Sequence, residues 1–138
     1  MATEPEIPAG MTPVTGVTPY INVEGAAAAS EFYQRAFGAQ ELFRLPAEDG
    51  KRLMHCHLRI NGGDLFLADC FPEAGYGFQP SHSFTLHLQL ADVDPAWEKA
   101  VAAGCEVTHP LQLMFWGDRY GTLRDPFQIS WSLASTPK

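Results

Sequence analysis

Three histidines on predicted strands are the side chains of this sequence best suited to chemistry. His55 and His57 lie two residues apart in LMHCHLRI, and His87 lies in TLHLQL. Side chains alternate between the two faces of a strand, so His55 and His57 project to the same side. Two interpretations stay open. Either these imidazoles form a metal site with Asp69, or they line a cavity in which each is hydrogen-bonded.

Polar and apolar residues alternate along four predicted strands. In TPYINV, residues 18–23, Thr, Tyr and Asn alternate with Pro, Ile and Val, and in TLHLQL, residues 85–90, Thr, His and Gln alternate with leucines. These polar faces carry groups that suit a partly enclosed cavity better than a plain solvated surface. The predicted cleft residues are Tyr20, Asn22, His55, His57, Thr85, His87, Trp116, Tyr120 and Ser132.

The same alternation makes three further predictions. It puts Leu53 on the polar side and Met54 on the core side of the strand that holds the histidine pair. In the last strand it puts Gln128 on the polar side with Ser130 and Ser132. Near residue 119, Trp116, Asp118 and Tyr120 share one side, and Arg119 points to the other. We interpret Arg119 as an ion-pair partner of Asp118 or Asp125, with anion binding as the alternative.

The elements that must position these residues occur twice. The strand at 18–23 precedes a helix over residues 26–37 that ends at Gly38, and the strand at 85–90, 67 positions later, precedes a helix that ends at Gly104. Asp94 is the predicted N-cap of the second helix, with Pro95 in its first turn. Further strands are predicted at 40–45, 51–60, 64–69, 106–114, 118–124 and 127–133, and Asn61-Gly62-Gly63 indicates a hairpin.

The fold class is therefore α+β, with two tandem β-α-β-β-β modules whose curled antiparallel or mixed sheets surround a cleft. Residues 1–16 form an N-terminal arm, 17–71 the first module, 72–83 a connecting loop rich in Gly, Pro and Ser, and 84–138 the second module. The 138 residues are enough for one structural domain with a sizeable core.

Charge and composition exclude several classes of protein. The net charge of −7 disfavours nucleic acid and tolerates neutral or cationic small molecules. The sequence has no basic and apolar leader and no apolar run long enough to span a membrane, so we expect a cytoplasmic protein. Cys56, Cys70 and Cys105 form no C-x-x-C pair, which favours free thiols.

Several strings, in their order and spacing, resemble the vicinal oxygen chelate superfamily. This is the glyoxalase, bleomycin-resistance and extradiol dioxygenase group, and the strings are similar to its PhnB-like branch. They are YINVEGA from Tyr20, EFY from Glu31 with FGA from Phe37, MH from Met54, LAD from Leu67, FWGDRYG from Phe115 and DPF from Asp125. The resemblance covers about residues 17–134. It implies a cleft between two curled sheets, commonly completed in a homodimer.

The resemblance also implies where a metal would bind. Metal-using members carry His on first strands and His or Glu on last strands, and these positions fall here at Thr18, Thr85, Ser132 and near Ala68 or Asp69. Hydroxyl groups are poor ligands for transition metals, so no metal or other cofactor is expected. A divalent metal held by His55, His57, His87 and Asp69 stays an alternative. Gln128-Ile129 also replaces the Gly-His or Gly-Asn that often follows Asp-Pro-Phe.

Three functions from different classes follow. The first is a metal-free protein of bleomycin-resistance type that binds an apolar or cationic small molecule. The second is a divalent-metal-dependent lyase, isomerase or dioxygenase, in which the ion would act as a Lewis acid on adjacent substrate oxygens. The third is a dimerising structural or regulatory module. The sequence favours the binding protein.

Overall fold

The computed structural model describes residues 14–137, and these residues form two similar α+β modules. The predictions for residues 1–13 and 138 lie outside the described residues. The elements of the first module are β1 Tyr20–Val23, α1 Ala26–Phe37, β2 Gln40–Pro46, β3 Leu53–Ile60 and β4 Gly63–Asp69. The elements of the second module are β5 Leu86–Gln89, α2 Val93–Ala103, β6 Glu106–Leu113, β7 Arg119–Arg124 and β8 Ser130–Ser135.

Each module contains one mixed four-stranded sheet, so the predicted fold class is confirmed. The strand orders are β1-β4-β3-β2 and β5-β8-β7-β6. In both sheets the first strand runs parallel to the last one, and the remaining pairs are antiparallel. The predicted Asn61-Gly62 hairpin is also confirmed, because both residues have positive φ (50° and 80°), as a two-residue hairpin turn requires.

The second helix begins earlier than predicted. Asp92 is the N-cap, and its carboxylate accepts a hydrogen bond from the backbone N–H of Asp94. Asp94 and Pro95 therefore lie inside the first turn. Proline is tolerated there because the first N–H groups of a helix have no intrahelical partner.

The last strand begins later than predicted, at Ser130. The Asp125 side chain accepts hydrogen bonds from the backbone N–H groups of Phe127 and Ile129, and these bonds close a turn. Gln128 has φ of 72° in that turn, so its predicted place on the polar side of a strand is wrong. Leu53 and Met54 are also the reverse of the prediction, since Leu53 is buried and Met54 is exposed. A register shift between Leu45 and Pro46 lies opposite them.

One core joins the two modules. Trp131 of β8 stacks on Phe37 of α1, with ring centroids 4.3 Å apart, and also contacts Tyr33. Trp97 of α2 packs against β7 so closely that a Cβ on Gly121 would lie 2.6 Å from its ring. The sheet sides opposite the helices are thereby left free to carry polar residues. Neither α-helix of residues 14–137 has the length and hydropathy to cross a membrane.

One edge strand of each sheet is irregular, β2 in the first sheet and β6 in the second. The pairing of β2 with β3 shifts at two places, and β2 ends at Pro46. The pairing of β6 with β7 also shifts at two places, and Pro110 lies within the second shift. Proline has no N–H to donate, and a bulge breaks the ladder of hydrogen bonds.

Candidate functional site

The side of the first sheet opposite α1 carries an aromatic and imidazole cluster. We call this side the first face, and its residues are Tyr20, Asn22, Phe43, His55, His57 and Phe66. The Phe66 ring meets the His55 and His57 rings edge to face, with centroids 4.7 Å and 4.9 Å apart. The two histidines therefore project to the same side of β3, as predicted.

Each histidine of the first face has one nitrogen held by the protein. His57 is fully buried, and its Nε2 lies 2.8 Å from Asp64 Oδ1, which also accepts from Arg59. His55 Nδ1 lies 3.1 Å from the Tyr20 hydroxyl. His57 Nδ1 and His55 Nε2 are buried and have no hydrogen-bond partner within residues 14–137. Hydrogen bonds therefore fix one nitrogen of each ring and leave the other nitrogen buried without a partner.

Burial and neighbouring charges set the protonation states on this face. Burial, with the nearby His57, lowers the pKa of His55 below 6.5, which favours the neutral imidazole. Hydrogen bonds from His57 and Arg59 lower the pKa of Asp64, so it is a carboxylate at neutral pH. Burial raises the pKa of Tyr20, which keeps its hydroxyl protonated.

The second sheet carries a more polar and more exposed side, which we call the second face. Its residues are His87, Gln89, Tyr120, Thr122, Arg124, Ser130 and Ser132. His87 is hydrogen-bonded on both nitrogens, at 2.7 Å to Ser132 Oγ and 2.8 Å to Gln89 Oε1. The predicted faces of β5 are confirmed, because Leu88 is buried while His87 is exposed.

Aromatic rings continue from His87 toward the β6–β7 loop. Tyr120 is stacked with His87 at 6.2 Å between ring centroids, and Trp116 meets Tyr120 edge to face at 5.5 Å. Phe115 meets Trp116 at 4.9 Å and is 95% exposed. Trp116 and Tyr120, which were predicted to share one side, are therefore in contact, and together with His87 they form a row of partly exposed rings.

The four side chains of the alternative metal site do not come together. Asp69 faces the core, where its carboxylate accepts hydrogen bonds from the backbone N–H groups of Gly25, Ala26 and Leu53. It thus stabilises the start of α1, because the positive end of the helix dipole favours a carboxylate there. His87 belongs to the second sheet, whereas His55 and His57 belong to the first. Within residues 14–137, no group of three or more His, Cys, Asp or Glu side chains is placed to hold a metal ion.

The ligand positions that the resemblance implies also do not fit a transition metal. The polar side at the end of β4 is occupied by Ala68, because Asp69 points the other way. Ser132 is bonded to His87, and Thr18 and Thr85 lie just before the strands they were predicted to belong to. One methyl group and three hydroxyl groups supply none of the imidazole, thiolate or carboxylate ligands that such ions take.

Two cavities lie beside the first strands of the modules. One, of about 290 Å³, lies between the modules and is lined by Asp64 and Leu65 on one side and Thr85 and His87 on the other. The second, of about 270 Å³, lies between β1 and the connecting loop, with Tyr20 and Asn22 in its wall. The predicted cleft residues are thus divided between two faces. Both cavities touch both modules, because Ile129 of the second module also lines the second cavity.

The structure overturns the predicted partners of Arg119. Its guanidinium binds the Asp94 carboxylate with two hydrogen bonds, of 3.0 Å and 2.7 Å, at the start of α2. Asp118 instead accepts from Gln89 and Thr136, and Asp125 is buried in the core.

Several residues of the two faces were missed in the sequence. Asp64 and Phe66 alternate with Leu65 and Leu67, and this period-2 pattern could have placed them on the first face. Arg124, two residues beyond Thr122 on β7, could have been placed on the second face in the same way.

The cysteines take no part in either face. Cys56, Cys70 and Cys105 are free and buried. Burial raises the pKa of the Cys56 and Cys105 thiols to about 12, and the pKa of Cys70 is raised as well. Protonated thiols are poor nucleophiles.

A family model and a sequence relative match most of this chain. The family model described as "Glyoxalase/Bleomycin resistance protein/Dioxygenase superfamily" matches residues 14–133. An uncharacterized protein of Mycobacterium tuberculosis (strain H37Rv) is 42% identical over 123 residues, which cover 85% of this chain and 72% of that protein.

Solved structures share the fold at low identity. A PhnB protein of Bacillus cereus superposes with a TM-score of 0.71 at 17% identity, over 88% of this chain and 100% of its own. The fosfomycin resistance protein FosX of Listeria monocytogenes, solved with Mn(II) and a sulfate ion, superposes with a TM-score of 0.68 at 16% identity, over 90% of this chain and 94% of its own.

Proposed function

Because the chain belongs to the glyoxalase/bleomycin resistance protein/dioxygenase superfamily, we propose that it binds a small organic molecule at its polar and aromatic sheet faces without a metal ion. The observation that carries the proposal is the row formed by His87, Tyr120 and Trp116. Trp116 is 48% exposed, so the row can stack on a ligand. The hydroxyl groups at the superfamily's metal positions favour binding over metal-assisted catalysis.

Within the superfamily, we assign the chain to the PhnB-like branch. Support comes from the strings that begin at Tyr20, Phe115 and Asp125. The Asp125 string has a structural reason, since this carboxylate closes the turn before β8 and accepts a hydrogen bond from Tyr33 of the other module. The Bacillus cereus PhnB protein supports the assignment through its fold alone.

A ligand screen on metal-free protein tests the binding function. Tag-free protein is dialysed against a chelator, screened with a library of small organic molecules by thermal shift, and titrated with each hit by calorimetry. We expect hits to bind without added metal and the Trp116→Ala variant to lose about tenfold in affinity through lost stacking. Tyr76→Ala, which removes a more exposed ring outside both faces (68% against 48% for Trp116), serves as the control. Hits that bind only after Mn²⁺ or Zn²⁺ is added, or equally well to Trp116→Ala, would contradict the proposal.

A divalent-metal-dependent lyase, isomerase or dioxygenase is the second candidate. The observation that favours it is the pair of unpartnered nitrogens, His55 Nε2 and His57 Nδ1, on one side of β3. FosX, a structural relative, is described with Mn(II). Elemental analysis of tag-free protein separates the candidates. One equivalent of a transition metal that resists a weak chelator and disappears in His55→Gln would favour the enzyme.

We further propose that the protein is a homodimer, which also covers the third candidate, a dimerising structural or regulatory module. Tyr20, Leu45 and Met54 of the first sheet are 51%, 41% and 54% exposed, and a second chain could cover them. Light scattering at tens of micromolar should give twice the 15.2 kDa chain mass. A dimer that binds no molecule of the screen would favour the structural module, and a mass of one chain would contradict the dimer.

A further inference from the structure

The arginines of the described chain fall into two groups. Four of them bind carboxylates at distances between 2.7 Å and 2.9 Å, namely Arg44, Arg52, Arg59 and Arg119. The other two, Arg35 and Arg124, have no carboxylate within 4.0 Å among residues 14–137, although the chain has 16 acidic residues. Arg35 is exposed in the last turn of α1 and lies over the Phe32 ring. Arg124 is half-buried on the second face, so it is not a freely solvated surface cation.

Hydroxyl and imidazole groups hold the Arg124 side chain in place. Its Nη1 donates to Ser130 Oγ at 3.1 Å and to His82 Nδ1 at 3.2 Å. Both bonds use the same nitrogen, which leaves Nε and Nη2 to donate to a ligand. A guanidinium presents these donors in a planar fork that matches a carboxylate or phosphoryl group. The Ser130 hydroxyl accepts from Arg124 and keeps its own proton to donate.

The second face carries opposite charges at its two ends. Arg124 and Tyr120 are four residues apart on β7 and project to the same side, roughly 13 Å apart along the strand. Asp118 lies at the aromatic end, where it accepts hydrogen bonds from Gln89 and Thr136. A ligand with an anionic end and an aromatic end would be attracted when its anion lies at Arg124. It would be repelled when its anion lies at Asp118.

From this arrangement we infer that the second face binds an aromatic molecule with a terminal anionic group, with the anion on Arg124 and the ring against Tyr120 and Trp116. The inference rests on the proposed binding function and narrows its ligand. An anionic ligand differs from the apolar or cationic ligand expected from the net charge of −7. That net charge describes the whole chain and is screened by salt, whereas the Arg124 guanidinium acts on a ligand in direct contact with it. Glu106, opposite Arg124 in the β6–β7 register, makes no ion pair with it.

Three biphenyl probes that differ only in their terminal group test the inference. Biphenyl-4-carboxylate, biphenyl-4-carboxamide and 4-phenylbenzylamine are titrated into the full chain by calorimetry at low and high salt. We expect the carboxylate to bind about tenfold more tightly than the amide and the amine most weakly. High salt should weaken the binding of the carboxylate and leave the binding of the carboxamide unchanged.

Variants on the second face make the assignment specific. Arg124→Gln should lower the affinity for the carboxylate about tenfold and change the affinity for the carboxamide less than about twofold. Trp116→Ala should lower the affinity for both probes. Glu106→Gln, which removes the nearby competing charge, should leave the carboxylate affinity unchanged or raise it. Far-UV circular dichroism checks that each variant is folded.

The outcomes separate this inference from the proposed function. Equal binding of the carboxylate and the amide, or an undiminished carboxylate affinity in folded Arg124→Gln, would overturn the anion site and leave the binding function standing. Failure of all three probes to bind below about 1 mM would overturn this ligand class. The binding function would then still be decided by its own screen on metal-free protein.

Discussion

Replacing Asp125 by Asn should destabilise both modules at once. The buried carboxylate of Asp125 accepts four hydrogen bonds. Backbone N–H groups of Phe127 and Ile129 donate to Oδ1 at 2.8 Å and 3.0 Å, and Tyr33 and Trp131 donate to Oδ2 at 2.6 Å and 2.8 Å. Tyr33 belongs to the first module and the other partners to the second.

The size of the effect follows from the contacts that Asn cannot make. The amide oxygen of Asn can replace only one of the two carboxylate oxygens. The amide NH₂ group takes the place of the other, and it cannot accept the two hydrogen bonds donated there. Because hydrogen bonds to charged groups contribute about 1.5–3 kcal/mol each, and two are lost, we expect a loss of about 3–6 kcal/mol in the free energy of unfolding. Tyr33→Phe, which removes one of the bonds, should cost about 1.5–3 kcal/mol.

Urea unfolding followed by circular dichroism measures both changes. Asp94→Asn is a matched control, because it removes a carboxylate whose ion pair with Arg119 is exposed and should cost less than about 1 kcal/mol. An Asp125→Asn protein within about 1 kcal/mol of the natural chain, or no more affected than Asp94→Asn, would refute this account of the buried carboxylate.

Three further changes test the faces and the packing. Leu88→Ala should cost about 2–5 kcal/mol by leaving a cavity, whereas His87→Leu on the opposite side of β5 should leave the urea midpoint nearly unchanged; the reverse result would mean that the faces are wrongly assigned. Gly121→Ala should cost about 1–3 kcal/mol and alter the near-UV spectrum of Trp97, because the new methyl group meets its ring; an unchanged spectrum and midpoint would contradict the close packing. Since burial lowers the pKa of His55 below 6.5 in the folded state, its contribution to stability is present above pH 6.5 and is lost as the pH falls; His55→Gln should flatten stability against pH there, and an unaltered slope would argue against it.

Local patterns in the sequence were enough to predict most of the fold. Gly38 and Gly104 mark both helix ends, and Asn61-Gly62 marks the hairpin, because the required backbone geometry favours these residues. Alternation placed His55, His57 and His87 on the correct sides of their strands, because one side of each sheet packs on helices.

Long-range hydrogen bonds determined what the sequence did not predict. Asp69 faces the core because it binds backbone groups 43 and 16 residues away. Ser130 begins the last strand because the Asp125 carboxylate holds a turn before it. Arg124 lacks a carboxylate partner because the acidic side chains of the described residues lie elsewhere or bind other groups. That arrangement depends on long-range contacts, so no local sequence pattern predicts it.

Irregular outer strands limit how copies of this chain can assemble. A smooth outer strand would let a second sheet continue the hydrogen-bonded ladder, and such growth has no natural end. The shifts in β2 and β6, with Pro46 and Pro110, interrupt that ladder at one edge of each sheet. Strand addition by a second copy is therefore discouraged at β2 and β6, and with it the open-ended growth that such addition would allow.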